Sequence, residues 1–113
     1  MTITGFHSGP RMSQAVIHGD TIYVAGQVAY QARGKSVGEQ TKEVQAALDR
    51  LLVEAGSEKS KILSATVYLA DIETFAEMNV WVLSGSAPAR ATVEAKLAAP
   101  AYAVEIACIA AGA

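Results

Sequence analysis

The stretch that most restricts the fold runs from Glu39 to Ala55, where apolar residues take helical spacing. Val44, Ala47, Leu48, Leu51, Leu52 and Ala55 recur three and four positions apart, while Glu43, Asp49, Arg50 and Glu54 fall away from that stripe. Gly56 is placed to stop the helix. Strand-like patterns lie on both sides. Upstream, "AVIHGDTIYVAGQVA" sets Val16 and Ile17, then Ile22, Tyr23 and Val24, around His18-Gly19-Asp20, which reads as a β-hairpin. Gly26 then marks a bulge or a close backbone approach. Downstream, in "KILSATVYLAD", Leu63, Ala65, Val67 and Leu69 share one face and Ile62, Ser64, Thr66 and Tyr68 the other.

Asp71 can cap a second helix, with Glu73 near its positive end and Phe75 and Met78 as its apolar anchors. Asn79 and Trp81 lie close by, and Gly85 and Pro88 end it. Two strands are expected after it, from about Arg90 to Leu97 and from about Tyr102 to Ala110, joined through Pro100. The expected order is β-β-α-β-α-β-β over residues 1–113, a single α+β domain. Helices between strands require crossovers, so the sheet is expected to be mixed, with both helices on one face. Its other face also carries apolar residues and is the best candidate for a subunit interface.

Composition excludes several partners. At 113 residues the chain can bury a real core. Formal net charge is −2 and the Lys and Arg residues are scattered, so there is no electrostatic footprint for nucleic acid or for an anionic membrane. The longest apolar runs are far too short to span a bilayer, and "MTITGFHSGPRMSQ" does not read as a secretory signal. Cys108 is the only cysteine, which leaves no internal disulfide or Cys-based zinc site and points to a reducing cytoplasm. In its apolar strand it reads as a small buried hydrophobe. His7 is placed in the N-terminal tail and His18 in a solvated turn. Phosphate loops, Rossmann glycines and HExxH are absent.

Arg90 and Glu105 stand out. Arg90 opens a strand of small residues in "SGSAPARATVEAKL", and Glu105 interrupts the apolar "AYAVEIACIAA". A carboxylate on a partly apolar face must be paired, hydrated or protonated. One reading is an Arg90–Glu105 ion pair that fixes a terminal hairpin. The other is that Arg90 grips an anionic ligand with its guanidinium fork while Glu105 holds or activates a water beside it.

"RMSQAVIHGDTIYVAGQVA", "SKILSATVYLADIETFAEMN" and "APARATVEAKL…AYAVEIACIA" resemble the reactive-intermediate deaminase (RidA/YjgF) family, in the same order and over nearly the whole chain. The resemblance implies a chorismate-mutase-like fold assembled as a homotrimer with three intersubunit clefts. It implies hydrolysis of 2-imino acids (enamine/imine intermediates) to 2-oxo acids and ammonia, without a cofactor or metal. The family's carboxylate-binding arginine falls on Arg90 and its water-positioning glutamate on Glu105. A backbone ligand contact falls on Thr92, and an asparagine of the second helix matches Asn79. The chain departs from the family's best-known members at two ligand-side positions, with Met12 in place of a tyrosine and Ala25 in place of a serine. Arg11 supplies a further cation beside Met12. The segment between Asn79 and Pro88 is shorter than the family pattern by about one helical turn. A non-catalytic trimer that binds small carboxylates such as 2-oxo acids is the alternative these departures favour. Ribonuclease activity, associated with some relatives, is opposed by the lack of a basic patch and of an aromatic stacking platform.

Overall fold

A computed structural model describes residues 2–79 and 87–112. Its elements are β1 (Ile3–Phe6), β2 (Ala15–His18), β3 (Thr21–Val28), α1 (Val37–Glu54), β4 (Ile62–Leu69), α2 (Phe75–Asn79), β5 (Ala89–Glu94) and β6 (Val104–Ala111). The strands form one six-stranded sheet in the order β1-β2-β3-β6-β4-β5. Only β4 and β5 run parallel; all other neighbours are antiparallel. The expected mixed α+β sheet is present.

α1 begins and ends as its sequence requires. The Ser36 hydroxyl accepts from the Glu39 amide at 3.2 Å, the bond of an N-cap. Gly56, at φ 86°, turns the chain out of the helix, and the Ser57 amide donates to the Leu52 carbonyl at 2.8 Å. Val44, Leu48 and Leu52 are buried against Ile22, Val24, Val67 and Ile106 of the sheet. Met78 brings α2 into the same core at 0% exposure. Leu52 is 0% exposed, so Leu52→Ala should destabilise the fold by about 2–5 kcal/mol. Urea unfolding should show the loss as a lower midpoint at unchanged slope.

Four expectations need correction. The tail forms β1, an additional edge strand: Ile3–Phe6 pairs with His18–Ala15, and Phe6 packs on the core. His18 is the last residue of β2, opposite Thr21, so the turn itself is Gly19-Asp20, with Gly19 at φ 62°. At the start of β4 a register shift between Ile62 and Ser64 turns Ile62 inward and leaves Leu63 54% exposed. The last two strands do not form a hairpin, because β4 lies between β5 and β6. This rules out the Arg90–Glu105 ion pair as a clasp between neighbouring strands.

Candidate functional site

Glu105 is held by its neighbours in β6. Val104 and Ile106 are buried in the core beneath the helices, so the alternation turns Glu105 to the opposite, open face of the sheet. It sits across from Val28 of β3 and Tyr68 of β4. β3 is irregular between Val24 and Gln27, and there Gly26 leaves the space the carboxylate occupies. A Cβ at Gly26 would lie 2.0 Å from Glu105 Oε2. The glycine read from sequence as a close approach is therefore the residue that admits the glutamate side chain. Glu105 and Tyr68 line a cavity of about 360 Å³, walled on one side by Gly26 and Ala107 and on the other by residues 95–98. Among the described residues the Glu105 carboxylate has no hydrogen-bond or ion-pair partner.

Arg90 lies elsewhere. In the parallel β4–β5 pair it sits beside Ala65, and Thr92 sits beside Val67; both β4 residues face the helices. Arg90 is thus at the sheet edge on the helix face, with its guanidinium 5.7 Å from the centre of the Phe75 ring. Phe75, expected as a core anchor of α2, is 39% exposed and serves as a platform for that cation. The Thr92 hydroxyl is buried near Arg90 and, among the described residues, has no hydrogen-bond partner. An orphaned hydroxyl of this kind costs about 1–3 kcal/mol until an acceptor reaches it.

The remaining expected site residues are scattered in one chain. Met12 is 51% exposed in the β1–β2 connection, where its carbonyl accepts from the Gly9 amide at 2.7 Å. Arg11 beside it is exposed. Ala25 precedes Gly26 in the irregular part of β3, close to the Glu105 side of the sheet. Asn79 is the last described residue of α2 and is exposed. The expected shortening beyond Asn79 falls on residues 80–86, outside the described ones. Cys108 is buried in the core, where burial pushes its thiol up to about 11, far from a reactive thiolate. Among the described residues, no group of His, Cys, Asp and Glu could hold a metal ion. Among the described residues, no helix is long and apolar enough to cross a membrane.

Two site residues escaped the sequence reading. Tyr68 reads there as a residue of an alternating strand, and Lys96 as part of the strand expected from about Arg90 to Leu97, which in the structure stops at Glu94. Both line the Glu105 cavity. Tyr68 had a signal in its alternation, which puts it on the face opposite Val67; Lys96 had none.

Comparison with known proteins fits this architecture. The family described as Endoribonuclease L-PSP matches residues 4–112. A RutC family protein of Haemophilus influenzae is 46% identical over 114 residues, covering 97% of this chain and 98% of its own. The chain belongs to the YjgF/RidA/RutC family. Another member, the RutC family protein YoaB of Escherichia coli K12, is 43% identical over 98% of this chain and 99% of its own. Among solved structures, a YjgF family member from Neisseria meningitidis superposes with a TM-score of 0.93 at 43% identity, over 100% of this chain and 97% of that one. Yeast Mmf1 matches with a TM-score of 0.89 at 26% identity, over 99% of this chain and 100% of its own.

Proposed function

We propose that this RidA-family protein hydrolyses small 2-imino acids to 2-oxo acids and ammonia, without a cofactor, in clefts between the copies of a homotrimer. The observation that carries the reading is Glu105: a carboxylate with no protein partner, admitted by Gly26 and facing a cavity of about 360 Å³. A carboxylate so placed can take a proton from a water. The water adds to the imine carbon, and the C=N double bond becomes single. That proton passes to the nitrogen to give a carbinolamine; the hydroxyl proton is then relayed through Glu105 to the amino group, the C–N bond breaks, and ammonia leaves as the C=O bond forms. Arg90 supplies the grip on the substrate carboxylate through its planar fork. The imine is intrinsically reactive, so orientation against the water supplies much of the gain.

The placement of these two residues supports an intersubunit cleft. Arg90 and Glu105 lie on opposite faces of one sheet, so a single substrate meets both only if they come from different copies. The open face offers a surface for such packing, with Ile3 70%, Tyr23 46% and Val93 43% exposed on it. A cytoplasmic location is proposed with it, from the lone reduced cysteine.

The test is ammonia release from an imino acid generated in place by an amino-acid oxidase. Release well above the buffer rate is expected. A rate equal to buffer would leave the alternative favoured by Met12 and Ala25, a trimeric module that binds 2-oxo acids without turnover.

A further inference from the structure

We propose that Lys96 makes this protein selective for imino acids with a second carboxylate on the side chain; the proposal rests on the imine-hydrolysis reading above. The Glu105 cavity is lined by one acidic residue, Glu105, and one basic residue, Lys96, which is exposed and also borders the neighbouring cavity beside Glu94. Neither has an ion-pair or hydrogen-bond partner among the described residues. The two charges are thus not spent on each other, although they line the same space.

The backbone fixes where Lys96 starts. β5 ends at Glu94, and the Ala95 amide donates to the Leu69 carbonyl at 2.9 Å, extending the sheet by one bond. Lys96 follows that tether, at the point where the chain crosses to the wall of the cavity. Its flexible stem lets the ammonium reach anions at several depths.

The charge balance then selects the substrate. Arg90 sits on the other face of the sheet and takes the α-carboxylate from a neighbouring copy, so Lys96 is left over for a second anionic group. Without Lys96, the second carboxylate of such a substrate would meet only the like charge of Glu105. A substrate with an apolar side chain leaves the ammonium in water, where Lys96 already is, and gains nothing from it.

The experiment compares wild type, Lys96→Met and Lys96→Glu on two imines generated in place by oxidases, one from aspartate and one from alanine. For Lys96→Met, kcat/KM on the aspartate-derived imine should fall about 10–100-fold, the range for one charge-assisted contact, and that on the alanine-derived imine should stay within about twofold. Lys96→Glu should widen the gap. Equal changes on both imines, or none on either, would overturn the proposal while leaving imine hydrolysis intact. If wild type hydrolyses neither imine, the hydrolase reading fails, and calorimetry decides the fate of Lys96. Binding of 2-oxoglutarate weakened by Lys96→Met, with pyruvate binding unchanged, keeps the second-carboxylate site; parallel losses or no losses remove it.

Discussion

Glu105→Gln is expected to lower imine hydrolysis by about 10²–10⁴-fold, the usual contribution of a general base. The amide keeps the shape and hydrogen-bonding reach of the carboxylate but cannot accept the proton of a water near neutral pH. The fold should be unaffected, because the Glu105 carboxylate has no partner to lose among the described residues. Affinity for a 2-oxo acid should stay level or rise, since a like charge is removed beside an anion. Ammonia release and calorimetry on the same preparation check both parts. A large fall in rate with intact binding assigns Glu105 to the chemical step. A parallel fall in binding would assign it to holding the substrate.

Arg90 variants should show the opposite signature. Arg90→Lys keeps the charge and loses the fork, which should cost about 1.5–3 kcal/mol of carboxylate binding. Arg90→Ala should cost more, and it should leave the fold intact, because Arg90 is exposed at the sheet edge and its ring contact is to a partly exposed Phe75. Binding of pyruvate followed by calorimetry, with a urea melt alongside, separates a ligand anchor from a structural residue. A melt shifted strongly downward would show that Arg90 holds β5 in place.

The fold was legible where local pattern and final environment agree. The Val44–Leu48–Leu52 stripe had one way to be buried, and the hairpin at Gly19-Asp20 and the α1 exit at Gly56 carry glycines at positive φ. β1 was not legible, because "ITGF" is four residues containing Thr and Gly, and it becomes a strand by pairing with β2. The insertion of β4 between β5 and β6 is a nonlocal choice on which alternation within each strand is silent.

The candidate site divides along the same line. Glu105 was visible as a charge inside an apolar alternation, and Gly26 as a break in a strand. Their contact depends on the β3–β6 register, which no single segment encodes. Opposite facing of Arg90 and Glu105 depends likewise on how β5 and β6 each register against β4. Lys96 falls inside the strand expected to run to about Leu97, but β5 ends at Glu94, so only the path of the chain after Ala95 brings it to the cavity.

The most direct test of a site shared between copies is complementation between Arg90→Ala and Glu105→Gln chains. Each variant alone should be nearly inactive. Chains co-expressed with different tags and purified through both should form mixed assemblies. A cleft that takes Arg90 from one copy and Glu105 from another is then intact wherever the right neighbours meet, which is about one of the three clefts in each mixed trimer. Recovery of ammonia release to a substantial fraction of the wild-type rate is the predicted result. Mixed assemblies no more active than either parent would contradict the shared cleft.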